Sequence, residues 1–264
     1  MSDTDLVQRT DQGAVARLVL NNPAKLNALS TEMLIAFHDR LKSIAEDPAI
    51  HAVILSGAGK VFCAGHDLRE MTDARQAPDG GKAAFETLFD RLVGSLRLMR
   101  EMPQPVIAQV HGIATAAGCQ IVASADMAVA AEGTRFGVNG VNIGLFCSTP
   151  MVALTRNMPR KQAFELLTTG GFIEADRAAE LGLINRAVPA DRLDEDVQQL
   201  AETLAAKLPA AMRVGKRLFY DQLEQPVGAA YRMTAAAMVE NMLEPDTAEG
   251  ISAFLEKRPP DWSG

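Results

Sequence analysis

The sequence predicts an α/β fold with a parallel sheet, followed by a region made only of helices. Short apolar runs typical of buried strands alternate with helical patterns as far as about residue 190, the order expected of a parallel sheet. Beyond that point every pattern is helical. We therefore divide the chain into a core, residues 1–191, and a helical C-terminal region, residues 192–264. A chain of 264 residues is long enough to bury a sizeable core.

The first half of the chain combines strand-like runs with two long helical patterns. Apolar runs typical of strands occupy residues 15–21, 52–56 and 106–110. Ser30, a favoured N-cap residue, precedes a pattern in which apolar side chains recur every three or four residues. A second helix is predicted over residues 85–100. Residues 74–82 contain a Pro-Asp-Gly-Gly sequence and predict a mobile loop.

The second half continues the alternation and then becomes helical. A helix is predicted over residues 116–123, a strand over 127–130, and irregular structure over 133–150, which is rich in Gly and Asn. Gly182 is expected at the C′ position of a helix over 175–181. The other predicted elements are a helix at 161–167, a strand at 184–188, and tail helices at 192–207, 210–224, 226–243 and 247–257.

Composition and charge argue against several functional classes. With a formal net charge of −7, the chain has no basic excess suited to nucleic acid. No apolar run approaches the ~18 residues of a membrane span, and the acidic residues 1–5 do not resemble a signal or transit peptide. The three cysteines lie in apolar surroundings, which predicts reduced, buried thiols and a cytoplasmic location.

Two strand-to-helix turns, residues 62–71 and 111–120, are the most informative feature of the chain. Each follows an apolar run and opens a helix with small residues, Ala64 and Gly65 in the first and Ala116 to Gly118 in the second. Turns built this way can bring two backbone N–H donors together. Such a pair stabilises negative charge that develops on a carbonyl oxygen, as in an enolate or a tetrahedral intermediate. The small residues therefore predict an oxyanion hole without any reactive side chain.

Several separate motifs, in order, resemble the crotonase (enoyl-CoA hydratase/isomerase) superfamily along almost the whole chain. Within that family, Gly65-His66-Asp67-Leu68 together with residues 144–150 looks closest to the subgroup called enoyl-CoA hydratase domain-containing protein three. The matching stretches are residues 20–29, 62–71, 112–120, 180–184 and 249–258. The resemblance implies a crotonase/Clp-like spiral of ββα units followed by a C-terminal helical trimerisation region, and hence a homotrimer or a dimer of trimers.

The resemblance also implies an acyl-CoA thioester as ligand, with no metal and no cofactor beyond the coenzyme A of the substrate. By similarity, the oxyanion donors are the backbone N–H groups of His66 and Ala117. Phe254 and Lys257 match a tail segment that approaches the nucleotide end of coenzyme A across a subunit boundary. The other residues implied in substrate binding are Ala24, Lys25, Leu26, Ala64, Asp67, Leu68 and Arg69.

The chain departs from the family pattern at both catalytic positions. Hydratases of the family use two glutamates for general acid–base catalysis, and these fall on Gln120 and Gly140 here. No acidic residue lies between Glu132 and Glu165, so a shifted alignment cannot restore the second carboxylate. Because each such group typically contributes ~10²–10⁴-fold to the rate, ordinary hydration is expected to be weak or absent.

Several side chains have both a catalytic and a structural interpretation. The His66 imidazole is either a general base or acid near the thioester or, as we favour, a side chain that shapes the pocket. Asp67, in the first turn of a helix, is expected to cap it. Glu86 and Asp90 are reserve acids on the 85–100 helix. A buried structural role is favoured for the Cys63 thiol.

Three functions are weighed against these features. The first is an enzyme that hydrates, isomerises or otherwise forms an enolate from an acyl-CoA thioester. The second is an acyl-CoA binding protein that has lost its chemistry, and the sequence does not separate it from the first. The third, a serine hydrolase on the related Clp-type spiral, is rejected because the chain has Ala117-Gly118-Cys119 at the nucleophile position and no histidine after His111.

Overall fold

The computed structural model describes residues 5–262 and forms a layered α/β core with helices packed around two sheets. The first residues of the acidic N-terminal segment, 1–4, lie outside the described residues. The strands are β1 (Val7–Gln12), β2 (Val15–Leu20), β3 (Ala52–Gly57), β4 (Val106–Val110), β5 (Ile113–Thr115), β6 (Met127–Ala131), β7 (Arg135–Gly137), β8 (Phe172–Glu174) and β9 (Arg186–Val188).

The helices alternate with these strands and then continue alone. Short 3₁₀ turns, Pro23–Lys25 and Asn139–Ile143, precede α1 and α5. The α-helices are α1 (Thr31–Ala45), α2 (Leu68–Ala74), α3 (Lys82–Glu101), α4 (Ala117–Ser124), α5 (Ser148–Asn157), α6 (Arg160–Thr169), α7 (Ala175–Glu180), α8 (Leu193–Ala205), α9 (Pro209–Leu223), α10 (Val227–Met242) and α11 (Pro245–Glu256).

The larger sheet has the strand order β1-β2-β3-β4-β6-β9 and is parallel except for the β1–β2 pair. The smaller sheet has the order β5-β7-β8, with β5 parallel and β8 antiparallel to β7. Five of the six β3 residues are buried, as expected of a strand covered on both faces of a parallel sheet. The predicted α/β class with a parallel sheet is therefore confirmed.

The helix predicted after Ser30 forms as α1. The Ser30 hydroxyl accepts a hydrogen bond from the Met33 amide at 3.2 Å, which satisfies one free N–H of the first turn. The Glu70 carboxylate accepts a second bond, from the Thr31 amide at 2.9 Å. The apolar stripe of α1 then packs fully into the core, with Phe37 completely buried. A residue of α2 thus fixes the start of α1, close to the first small-residue turn.

The tail divides into a half packed on the core and an exposed half. Helix α8 covers one face of the larger sheet with Leu193, Val197 and Ala201. Helix α9 is fixed by Lys216, whose ammonium lies 2.7 Å from the Asp126 carboxylate. Helices α10 and α11 instead leave large apolar side chains exposed, among them Tyr231, Met238, Leu243, Phe254 and Leu255. Within residues 5–262, no helix is long and apolar enough to cross a membrane.

Most predicted elements form within a few residues of their expected bounds. Residues 75–81 are non-helical, as expected of the loop, but α3 begins at Lys82, three residues earlier than predicted. Gly182 adopts φ +80°, as required of a residue that ends a helix in the left-handed region. The irregular segment at 133–150 was predicted without regular structure, which is wrong because it contains β7, a 3₁₀ turn and the start of α5.

Candidate active site

The two small-residue turns lie side by side. Cys63 and Ala114 form an isolated parallel β-bridge, and the Thr115 amide donates to the Cys63 carbonyl at 3.1 Å. The first turn leads into α2 and the second into α4, so both helices begin at the same edge of the core. The turns predicted from sequence are therefore hydrogen-bonded to each other rather than merely close.

Glycine and alanine are required where the turns touch. Gly65 adopts φ +90°, and a Cβ at this residue would lie 3.0 Å from the Ala116 Cβ and 3.4 Å from the Ala117 nitrogen. A Cβ on Gly118 would lie 2.4 Å from the Cys63 carbonyl oxygen, closer than real contacts allow. The small side chains thus permit the backbone approach that an oxyanion hole needs.

The two predicted donors are free to bind a ligand. Among the hydrogen bonds of the described residues, neither the His66 nor the Ala117 amide donates to a protein acceptor. Ala117 is the first residue of α4, where the helix dipole favours negative charge. Ala116, just before it, has φ 49° and ψ −118°, a conformation that a residue with a Cβ rarely adopts. Strain at this position is consistent with a backbone shaped for function.

A cavity of about 340 Å³ opens beside these donors. Its walls carry no Asp, Glu, Lys or Arg side chain. The side chains of Leu68, Met71, Phe89 and Ile143 make much of the lining apolar, while Asn139 and Thr149 add neutral polar groups. The remaining lining residues are Ala64, His66, Thr115, Ala116, Ala117, Gly140, Leu145, Phe146, Cys147, Ser148 and Pro150. Such a cavity suits an acyl chain better than a charged group.

His66 contributes an unusual side chain to this cavity. Its ring packs edge-on against Phe89, with centroids 5.5 Å apart and an interplanar angle of 76°. Both ring nitrogens are buried, and no side chain hydrogen-bonds to them. Burial lowers the pKa of the imidazole, and the Leu29 carbonyl and Glu70 carboxylate offset only part of this effect. The ring is therefore neutral near pH 7.

Of the two positions of the missing glutamates, Gly140 lines the cavity and Gln120 lies behind Thr149. Gln120 is 4% exposed, and its side-chain oxygen accepts a hydrogen bond from the Thr149 hydroxyl at 3.3 Å. Thr149, not Gln120, lines the cavity. Gly140 lines the cavity directly, but a Cβ there would lie 2.3 Å from the Leu145 carbonyl oxygen and 2.8 Å from the Cys147 sulfur. The backbone around Gly140 therefore leaves no space for a side chain.

The residues implied in binding coenzyme A surround the first turn. Ala24, Lys25 and Leu26 are exposed, and the Leu26 carbonyl accepts a hydrogen bond from the Ala64 amide at 3.1 Å. Leu68 and Arg69, in the first turn of α2, are exposed as well. The 3₁₀ turn at residues 23–25 is thus tied to the turn that supplies an oxyanion donor.

Asp67 and Lys25 form an ion pair in this region, with 3.2 Å between Nζ and Oδ2. The Asp67 carboxylate also accepts bonds from the Arg69 and Glu70 amides, so the predicted N-cap is confirmed. Burial raises the pKa of Asp67, but the Lys25 ammonium and the two amides outweigh it and hold the pKa below its usual range. The Lys25 ammonium therefore binds a ligand phosphate only when it leaves the Asp67 carboxylate or is shared between that carboxylate and the phosphate.

Other candidate residues lie away from the cavity. Phe254 and Lys257 belong to the exposed end of α11 and do not line it. Glu86 and Asp90 lie on exposed positions of α3 and do not line it either. Burial raises the pKa of the Cys63 and Cys119 thiols to about 12, as expected of inert thiols. Among residues 5–262, no cluster of three or more His, Cys, Asp or Glu side chains could hold a metal ion.

Sequence reasoning missed Asn139 and Phe89 as parts of the site. The Thr115 hydroxyl donates to the Asn139 side-chain oxygen at 2.7 Å, which leaves the amide nitrogen of Asn139 available. The sequence allows two interpretations of Thr149, as part of the acyl pocket together with Cys147 and Ser148 or as part of a turn before a helix, and in the structure all three line the cavity. Phe89 belongs to the apolar face of α3 and gives no sequence signal of its own, because its partner His66 is brought to it only by the fold.

Comparison with known proteins decides the family. The family model for enoyl-CoA hydratase/isomerase matches residues 10–264. The chain belongs to the enoyl-CoA hydratase/isomerase family. A crystal structure of an enoyl-CoA hydratase from Mycobacterium smegmatis has a TM-score of 0.93 and 48% identity, with 98% of this chain and 99% of that chain covered.

The subgroup resemblance is confirmed as well. Human enoyl-CoA hydratase domain-containing protein 3, mitochondrial, is 44% identical over 94% of this chain and 80% of its own length. The crystal structure of the human domain-containing protein 3 has a TM-score of 0.93 at 40% identity and covers 97% of this chain and all of that one. The zebrafish and rat relatives carry the same name, with identities of 41% and 42%.

The predicted cytoplasmic location is wrong by this comparison. The vertebrate relatives that match almost the whole chain are named as mitochondrial proteins. The prediction rested on reduced cysteines and an acidic N-terminal segment. Reduced, buried thiols report only on local packing, because a thiol surrounded by apolar side chains stays unoxidised in many compartments.

Proposed function

We propose that this family member binds acyl-CoA thioesters and stabilises negative charge on their carbonyl oxygen, but hydrates enoyl-CoA weakly. The observation that carries the proposal is the contact between the two turns, which leaves the His66 and Ala117 amides without protein acceptors beside an acyl-sized cavity. Oxyanion stabilisation of this kind suits an enolate or a related acyl-CoA intermediate. The coenzyme A portion would lie along residues 24–26 and 66–69.

A second candidate, an acyl-CoA binding protein without turnover, is favoured by one specific observation. The cavity walls contain no carboxylate, and the two positions where hydratases have glutamates are Gln120 and Gly140. An amide cannot accept a proton near neutral pH, and glycine has no side chain. Binding would then survive while the general acid–base step is lost.

The assembly expected is a homotrimer or a dimer of trimers. This assembly is supported by the surface of α10 and α11, where several large apolar side chains are exposed together. Apolar side chains on a monomer surface are usually scattered singly. In such an assembly Phe254 and Lys257 would reach the ligand of a neighbouring subunit. Light scattering at micromolar concentration measures the mass, and a monomer contradicts this part of the proposal.

Calorimetry with butyryl-CoA and crotonyl-CoA, together with a hydration assay on crotonyl-CoA, tests the proposal. Binding of both thioesters is expected, and the hydration rate separates the two candidates. Ala117→Pro removes one N–H donor and should abolish binding, provided that circular dichroism shows a folded protein. If neither thioester gives heat at millimolar concentration, the proposed function is wrong.

A further inference from the structure

We propose that the His66 imidazole is the proton carrier of this site: it takes a proton from the carbon next to the thioester carbonyl and returns it. The inference rests on the proposed function, because it requires an acyl thioester whose oxygen lies on the two free N–H donors. It goes further by assigning acid–base work to a side chain at a site whose walls hold no carboxylate.

Position supports this role for His66. The same residue supplies a free backbone N–H donor and a ring that lines the acyl cavity, so a thioester held by that donor would lie beside the imidazole. Among the described residues that line the cavity, His66 and Cys147 are the only ones with a side chain that can act as a base. Burial raises the pKa of the Cys147 thiol, which keeps it protonated and unsuited to act as a base. The imidazole is the remaining candidate.

The hydrogen bonding of the ring points the same way. Both ring nitrogens of His66 are buried and no side chain hydrogen-bonds to them, while the Leu29 carbonyl is the backbone group that acts on the ring. Native proteins keep few buried polar atoms unpaired, and those they keep call for a functional explanation. A half-turn about χ2 exchanges nitrogen and carbon positions within the same ring outline, so the ring can present either edge without repacking. An acyl group in the cavity would supply a partner that no side chain of the protein provides.

The surroundings set the charge state required of a base. Glu70 on α2 is the charged group that acts on the ring, α3 presents Phe89 to it, and Cys147 lies at the start of α5. Asp67, the residue after His66, forms an ion pair with Lys25, so these two charges compensate each other. Burial dominates over Glu70 and lowers the pKa of His66, so one ring nitrogen keeps a free lone pair at pH 7.

The proposed step balances without a co-reactant. The lone pair of the imidazole takes the proton, the C–H bond breaks, and its electron pair forms the enolate double bond. The carbonyl oxygen takes the negative charge and is held by the His66 and Ala117 amides. Return of the proton regenerates thioester and neutral imidazole. In D₂O the imidazolium exchanges its proton with solvent, so the thioester gains deuterium next to its carbonyl.

Deuterium uptake into butyryl-CoA in D₂O, followed by NMR, tests the inference. Butyryl-CoA has no double bond to hydrate, so exchange reports on proton transfer alone. His66→Gln keeps the backbone donor and a polar side chain but has no base, and its exchange rate should fall ~10²–10⁴-fold. Its dissociation constant for butyryl-CoA should change far less. His38→Gln is the matched control, since His38 lies on α1 against Ser95 and away from the cavity.

A second variant covers the case in which His66→Gln does not fold. His66→Ala leaves space for free imidazole. Added imidazole should restore part of the deuterium exchange in this variant and should not raise the exchange rate of the wild type. Exchange by folded His66 variants at the wild-type rate overturns the inference. A wild type that binds butyryl-CoA but takes up no deuterium also overturns it and leaves the proposed function standing, whereas a wild type that binds no thioester overturns both.

Discussion

The Ala117 amide nitrogen lies 3.4 Å from the point that a Cβ on Gly65 would occupy. The same Cβ would lie 3.2 Å from the Thr115 carbonyl oxygen and 3.0 Å from the Ala116 Cβ. The two turns thus approach as closely as their backbones permit. The spacing of the free donors depends on a missing side chain, which makes Gly65 a sensitive point for testing the oxyanion hole.

Gly65→Ala should therefore weaken binding of butyryl-CoA by tenfold or more, about 1.4 kcal/mol, because the new methyl group separates the turns. Gly13→Ala is a matched control, since Gly13 also has positive φ, +59°, but nothing lies within 4 Å of its Cβ position. In both variants backbone strain should lower the free energy of unfolding by ~1 kcal/mol or more, which urea unfolding measures. Equal binding by the two variants contradicts the role given to Gly65.

Hydration of crotonyl-CoA by the wild type should be slow. Two general acid–base groups at ~10²–10⁴-fold each would account for a loss of about 10⁴-fold or more if they acted independently. A steady-state assay measures this directly, and turnover above ~10 s⁻¹, the median for enzymes, would show that another residue transfers the protons. Restoring both glutamates is not a fair test, because the Cβ of Gly140→Glu would overlap the Leu145 carbonyl.

The sequence could predict the site because its signals are local. Small residues in two turns, an N-cap at Ser30 and a cap at Asp67 all depend on neighbours within a few positions, and each is found in the structure. Strand β1 was missed because its sequence is mostly polar and exposed, and β5, β7 and β8 were missed because each is three residues long and lies in or beside a turn. Strands this short have too few residues to show a period of two.

Contacts between residues far apart in the sequence could not be predicted either, because they leave no pattern among neighbouring residues. Lys25 and Asp67 are 42 positions apart, and Asp126 meets Tyr220 over 94 positions. Which charges pair is decided by how the sheets and helices pack, and a single sequence does not record it. Lys25 was implied in substrate binding, whereas the structure also pairs it with a protein carboxylate.

Lys25→Met should weaken binding of butyryl-CoA several-fold. The Lys25 side chain is 57% exposed, so its ammonium can be shared between Asp67 and a ligand phosphate, although a single exposed charge contributes only about 0–1 kcal/mol. The thioester of N-acetylcysteamine, which lacks the nucleotide, supplies the control ligand and should bind both proteins alike. Equal loss with both ligands would mean that Lys25 acts by holding Asp67 and the first turn.

Asp67 should make the fold sensitive to acid. Its pKa in the folded protein lies below the ordinary value of 3.8, so its stabilisation is present above that value and is lost as the pH falls through the lower folded pKa. Asp67→Ala should cost ~0.5–2 kcal/mol at pH 7 as a lost N-cap and less at pH 3. Urea unfolding at both pH values measures the difference, and a cost that does not shrink at pH 3 argues against an ionised cap.

The attachment of the tail to the core should depend on Lys216. Its side chain is 6% exposed, its ammonium donates to the Met99 and Gln104 carbonyls at 2.7 and 2.8 Å, and it pairs with Asp126, which is 12% exposed. The same carboxylate accepts the Tyr220 hydroxyl at 2.7 Å. Burial lowers the pKa of Lys216, and the Asp126 carboxylate offsets part of that effect.

Lys216→Met should destabilise the protein by ~3–5 kcal/mol, because it leaves the Asp126 carboxylate buried without its cation. Arg97→Met is the matched control: Arg97 pairs with Glu101 on the surface of α3, its side chain is 72% exposed, and its loss should cost below ~0.5 kcal/mol. Urea unfolding followed by circular dichroism gives both values. Adding Asp126→Asn to Lys216→Met should recover part of the loss, since the unpaired charge is then gone. Similar costs for Lys216→Met and Arg97→Met would show that α9 is held by its apolar contacts instead.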